Sequence, residues 1–278
     1  MGANLYKKDD SHVDSQEPWK HTHLQELPGI SDVSDSAGSP HWRLHPPLIL
    51  GANREEVYSR PSVPPAGQQQ HRAFAGTDLQ AGGTWLGVSE TGVVVAVTNR
   101  RESLPAEDPR SRGHLCFDTL QHPSASTALD WAQSHLETTR YRACNLLIAD
   151  IHSAGVVHVA HTIDRRDLGS GHHVLADVDI DDTQSVRVQR ARALATQAPA
   201  TDLSGRQKQL QTILADRDPR AVETERICRR GATAGTVSAC VLAMPTSGLT
   251  QGHYRFAAGP PDTHPFEDLS TQLRSRMR

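Results

Sequence analysis

The chain has 278 residues, 36% of them hydrophobic and 22% charged, with a formal net charge of -3, which is enough for one sizeable core or two small ones. That slight negative balance offers no basic surface for nucleic acid or an anionic membrane. Aromatic residues make up only 4%, so Leu, Val, Ile and Ala must build the interior.

Four cysteines, Cys116, Cys144, Cys228 and Cys240, lie far apart with no Cys-x-x-Cys pair. They read as free, buried thiols, not as a disulfide scaffold or a zinc site. No apolar run reaches the roughly 20 residues needed to span a bilayer. Residues 1–43 are polar, rich in Asp, Ser and His, and show no periodic apolar face, so they read as a disordered leader. The predicted domain covers 44–278, with structure expected to begin near Leu44. The leader has neither a secretory core nor an Arg-rich targeting pattern, which makes a cytoplasmic protein the expectation. Tyr6 stands where myristoylation at Gly2 would require Ser or Thr.

In chain order, a short strand is predicted at Leu48 to Leu50, then a Pro-rich connection at Pro61 to Pro65. A hairpin of Thr84 to Val88 and Gly92 to Asn99 follows, turning at Ser89 to Gly92. Val93 to Val97 is apolar at every position, so its sheet must be covered on both faces. Helices are predicted at Ser111 to Gln121 and Ser126 to Thr138, the second with Ser126 as N-cap. Cys144 to Ile151 and Gly155 to His161 make a second strand pair, and Gly169 to His173 reads as a loop. Thr183 to Ala195 and Leu203 to Ala215 are amphipathic helices separated by a break at Ala198 to Thr201. Thr236 to Met244 and His253 to Ala258 are the last strands. Strand pairs alternating with helix pairs predict layered α+β packing in one domain.

Two polar clusters at strand ends exceed what a core needs: Asn53-Arg54-Glu55-Glu56 and Thr98-Asn99-Arg100. They occur in order with Arg60-Pro61-Ser62, Gly76 to Asp78, Ala81 to Gly87, Ser111-Arg112-Gly113, Asn145-Leu146-Leu147, Gly235-Thr236-Val237-Ser238 and Gly259-Pro260-Pro261. This series resembles the NRDE family, also called the Transport and Golgi organisation 2 family, over most of the chain. The resemblance implies an α+β fold: a four-layer αββα sandwich of N-terminal nucleophile hydrolase type. It also implies an ancestral amide or thioester hydrolase, in which a Cys heading the first strand attacks an acyl carbon while its own α-amine acts as base. Such an amine titrates close enough to neutrality for the task.

By that analogy Arg54 stands beside the nucleophile and Glu55 takes the place of the family's Asp. Asn99 and Asn145 would donate to a developing oxyanion, and Asn53, Asp78, Gly83 and Trp85 would contribute to binding. Each residue also has a plainer reading. Arg54 can pair with Glu55, Glu56 or Asp78, strand-end Asn residues satisfy turns, and Gly82-Gly83 marks a close backbone approach beside a half-buried Trp85.

The chain departs from the family at the nucleophile: residue 2 is Gly, no Cys precedes Cys116, and the expected first strand ahead of Pro46 is missing. Three explanations stay open: a leader cleaved to expose Ser34, Ser36 or Ser39; a protein that kept the pocket and lost hydrolysis; or an aberrant beginning. The alternative to a hydrolase-derived protein is a binding protein for a lipid, acyl-CoA or haem-like ligand, linked through the resemblance to Golgi organisation and secretion. Gly87 to Gly92 lacks the spacing of a nucleophile elbow, and Gly169-Ser-Gly171 lacks the third glycine of a dinucleotide loop. His152, His158, His161, His172 and His173 read as scattered surface histidines, with no metal site. No cofactor is expected.

Overall fold

A sheet apolar on both faces needs helices on one side and a second sheet on the other. Both partners are present. The structure, a computed structural model, describes residues 22–27, 47–102, 110–197, 200 and 202–275. Its strands are β1 (Thr22–Leu27), β2 (Leu48–Val57), β3 (Ser62–Gln68), β4 (Ala73–Asp78), β5 (Leu86–Ser89), β6 (Val94–Asn99), β7 (Cys144–Ala149), β8 (Ala154–Val159), β9 (Ile163–Leu168), β10 (Gly171–Leu175), β11 (Ala234–Met244), β12 (His253–Ala257) and β13 (Glu267–Asp268). Its α-helices are α1 (Arg112–Thr119), α2 (Ala125–Thr138), α3 (Val186–Thr196), α4 (Leu203–Leu214) and α5 (Ser270–Ser275).

A six-stranded sheet has the order β10-β1-β2-β11-β12-β13, and a seven-stranded sheet runs β3 to β9 in sequence order. All the pairings between strands are antiparallel. Because side chains alternate along a strand, each sheet divides its apolar residues between two layers. Leu50, Phe74, Leu86, Ala96, Leu147 and Leu242 meet between the sheets. Val95, Ile148 and Val157 face outward under Leu115 of α1 and Leu129 of α2. Ile49 and Val241 face the other way, under Val188 of α3 and Leu210 and Leu214 of α4. The result is the four-layer αββα sandwich.

Several local expectations need correction. A strand does precede β2: β1 lies between β2 and β10, with Thr22 in register with Asn53 and Glu26 with Ile49. Its sequence, THLQEL, has too little apolar character to signal a strand without its neighbours. Ser34, Ser36 and Ser39 lie outside the described residues. The Pro-rich connection is the edge strand β3, in which Pro64 and Pro65 sit within the register shift between Val63 and Ala66, where a ladder can lack N–H donors. The supposed loop at Gly169 to His173 forms most of β10, preceded by β9, whose IDRRDL sequence carries charge at an edge. The N-cap of α2 is Ser124, not Ser126; its side chain and that of Thr127 form a reciprocal capping box. No helix among the described residues is long and apolar enough to cross a membrane.

Candidate functional site between the sheets

Strand β2 carries the Asn-Arg-Glu-Glu cluster, and its pleat sends alternate residues to opposite faces. Arg54 and Glu56 point toward the seven-stranded sheet; Asn53 and Glu55 point toward the helices. The two pairs therefore serve separate surroundings.

On the helix side, the Asn53 amide donates to the carbonyls of Leu214 at 2.9 Å and Ile227 at 3.0 Å, tying β2 to the end of α4. Glu55 is 1% exposed. Its Oε2 accepts a hydrogen bond from Arg229 Nη1 at 2.9 Å and lies 3.6 Å from Arg187 Nη1. Burial pushes the Glu55 carboxyl up, while the two guanidiniums pull it back toward the charged form. Arg187 also donates to the Thr224 carbonyl. Asn53 and Glu55 thus belong to a buried polar layer beneath α3 and α4.

On the inter-sheet side, the Arg54 guanidinium lies 4.0 Å above the Trp85 ring and donates to Ser62 Oγ at 2.6 Å. A chain of alternating charge continues outward. Glu56 lies 3.7 Å from Arg54 and 3.5 Å from Arg60, and Arg60 reaches Asp78 at 2.6 Å. Burial acts to raise the Asp78 carboxyl, but Arg60 and the amides of Gln80 and Ala81 hold it below the usual range. Asp78 thereby fixes the turn that leads to Gly83 and Trp85. Burial pushes the Arg54 guanidinium down from its ordinary value.

Two glycines allow this arrangement. A Cβ on Gly76 would come within 2.5 Å of the Trp85 ring, so only Gly lets the indole lie flat there. A Cβ on Gly83 would meet the Gly113 backbone at 2.5 Å, which places the start of α1 directly against the Trp85 segment; Thr84 N–H donates to the Gly113 carbonyl at 3.1 Å. Arg54, Trp85, Ser238, Cys240, Tyr254 and Phe256 are among the residues lining a narrow cleft between the sheets with about 10 Å³ of free space. Burial raises the Cys240 thiol to about 11, so the cleft holds it as a thiol.

A second polar cluster occupies the same end of the seven-stranded sheet, on β6, β7 and β8. Thr98, Asn145 and His158 lie side by side in register. The Asn145 amide nitrogen donates to Thr98 Oγ1 at 3.1 Å and to the carbonyls of Ala176 at 3.0 Å and Val178 at 2.9 Å. Its oxygen accepts from Arg100 at 2.8 Å and from His158 Nδ1 at 2.7 Å. The side chain is fully engaged. Asn99 pairs in register with Cys144, on the opposite face from Asn145. The two asparagines are not brought together.

His158, which reads from the sequence as a surface residue, is 3% exposed. Burial pushes its imidazole down to about 4, so it is neutral at physiological pH. With Nδ1–H committed to Asn145, its Nε2 has no hydrogen-bond partner among the described residues. Arg100 joins this cluster to Glu102 and Asp179, each at 2.8 Å. The inward alternation of Val94, Ala96 and Thr98 was the available signal for the cluster. Ser238, Tyr254 and Phe256 carried no comparable signal, because β11 and β12 reach β2 only through the sheet. Among the described residues no group of three or more His, Cys, Asp or Glu is placed to hold a metal ion.

Two antiparallel sheets face to face with helices on both outer faces make up the αββα fold of the N-terminal nucleophile hydrolase type. The fold is similar to that of a Caenorhabditis elegans N-acylethanolamine-hydrolyzing acid amidase ortholog, with a TM-score of 0.51, 15% identity, and 81% of this chain and 92% of that chain covered. It is also similar to a mutant of the conjugated bile acid hydrolase from Clostridium perfringens, with a TM-score of 0.56, 12% identity, and 91% and 94% covered. The model of the Transport and Golgi organisation 2 family matches residues 39–241, and the chain belongs to that family. The Mus musculus Transport and Golgi organization 2 homolog is 35% identical over 109 residues, 37% of this chain and 39% of that protein. The Homo sapiens homolog is 34% identical over 111 residues, 38% and 40% of the two chains. The chain thus spans about two-fifths of the length of the curated relatives it matches.

Proposed function

We propose that this chain is a hydrolase-derived protein whose inter-sheet cleft binds a small acyl-type ligand, with Arg54 recognising the ligand's polar or anionic end. The stacked, buried guanidinium of Arg54 at an aromatic-lined cleft carries this reading. The cleft holds about 10 Å³ of free space, room for about one water, so a ligand must part its walls, and a slender chain demands less displacement than a haem-like plate. In this reading Trp85 holds the guanidinium plane, Gly83 and Asp78 hold Trp85, and Asn53, Glu55 and Asn145 maintain the walls. The setting we propose is cytoplasmic, with a part in Golgi organisation and secretion, in keeping with four cysteines that are all free.

The test is binding of a medium-chain fatty acid and its amide, followed by calorimetry. Arg54→Met keeps the stem that packs on Trp85 and removes the charge. The expected result is measurable binding of the acid that Arg54→Met weakens by roughly tenfold or more, about 1.4 kcal/mol. Equal affinity in the folded variant would overturn the role of Arg54.

A further inference from the structure

The segment from Ala176 to Asp182 leaves β10 and crosses from the six-stranded sheet to the end of the seven-stranded one, and charged groups hold it along its length. Asn145 and Thr98 take the Ala176 carbonyl. Arg101 binds Asp177 at 2.7 Å, and Arg100 and Arg166 bind Asp179 at 2.8 and 2.7 Å. The far end is fastened by His173. Its Nδ1 lies 2.7 Å from Asp181 Oδ2, and its Nε2 lies 3.0 Å from the Gly169 carbonyl.

Both partners of this imidazole are acceptors only. A neutral histidine carries one N–H and can satisfy one of them; only the imidazolium satisfies both. Asp181 is also positioned for a charged partner. Its backbone sits at φ 57, its Oδ1 accepts from Val174 N–H at 2.9 Å, and its N–H returns to the Val174 carbonyl. A non-glycine residue at positive φ persists only where its surroundings hold it there.

We propose that His173 and Asp181 form a pH-sensitive clasp that seats the 176–182 strap across the end of the inter-sheet space while the imidazole is charged and frees it when the imidazole is neutral. The strap walls an open cleft of about 720 Å³ lined by Arg100, Arg101, Arg166, Asp177, Asp179 and Asp182, among others. Loosening it opens that cleft toward Thr98 and Asn145. Other charged and titratable groups face the clasp. Arg192 of α3 lies 3.6 Å from Asp181 Oδ1 and keeps the carboxylate charged. On β1, Gln25 stands opposite His173, while the titratable Glu26 and His23 stand opposite His172 and Leu175. Burial works against the charged His173, yet Asp181 outweighs it and raises the imidazole above its ordinary value.

The clasp contributes fully below the ordinary imidazole value of about 6.5 and is lost as pH rises through the higher folded-state value. Hydrogen exchange of the full chain from pH 6 to 9, corrected for intrinsic rates, tests this. Peptides covering 169–183 are expected to lose protection several-fold as pH rises, while those covering β7 stay constant, and His173→Gln should remove the pH dependence. The same dependence in His173→Gln, or none in the natural chain, overturns the clasp. If His173→Gln does not fold, an NMR titration of the histidines in the natural chain decides: a His173 midpoint at or below the ordinary value overturns it. The outcome is independent of what the Arg54 cleft binds.

Discussion

Asn145 illustrates how much one side chain can hold. Its two N–H bonds and its oxygen are shared among Thr98, two carbonyls of the strap, Arg100 and His158. Leucine is close in size but satisfies none of them, and buried polar groups left without partners cost about 1–3 kcal/mol each. Asn145→Leu should therefore destabilise the protein by roughly 3 kcal/mol or more, read from urea unfolding midpoints. A change below about 1 kcal/mol would mean that the strap finds other donors. The sequence identified Asn145 as a polar residue at a strand end, but not its partners. Those partners lie 13 to 47 residues away, where no local pattern registers them.

At the scale of elements, the contact between Gly83 and Gly113 couples α1 to the segment that carries Trp85. A methyl group on Gly83 would lie 2.5 Å from the Gly113 carbonyl carbon and 2.9 Å from the His114 nitrogen, both backbone atoms that cannot rotate away. Overpacking of this kind costs about 1–3 kcal/mol. Gly83→Ala should lower stability by that amount and also weaken ligand binding in the Arg54 cleft, because α1 and Trp85 must move apart. Loss of stability with unchanged binding would show that the Trp85 ring is positioned by Gly76 and Arg54 alone. The hairpins, both helix pairs and the double covering of β6 were legible from apolar periodicity and turn residues. Strands β3, β9 and β10 were not. They sit at or near sheet edges, where proline and charge are useful because they discourage further pairing, and those same residues hide a strand from propensity.

The whole molecule should respond to acid in a definite direction. His158 is held neutral by burial, with its value pushed down to about 4, while the unfolded chain takes up that proton near pH 6.5. Unfolding therefore binds a proton throughout that interval, and stability falls as pH drops from about 6.5 toward about 4. Carboxylates depressed by arginine partners, among them Asp78 and Asp179, add to the loss at lower pH, since their contribution is present above the unfolded value and disappears below the folded one. Melting temperatures across this range should decline, and His158→Gln should flatten the upper part of the decline. A pH-independent melting temperature between 6.5 and 4 would contradict the buried neutral histidine.

The opposite facing of Arg54 and Glu55 has a consequence for how this protein can vary. Adjacent letters in a motif invite the assumption that they change together, but here they answer to distant and separate parts of the chain: position 54 to residues 62 and 85, position 55 to residues 187 and 229. Glutamate where the family motif has aspartate is thus a matter of the space beneath α3. It can drift with that layer while the cleft keeps its arginine unaltered.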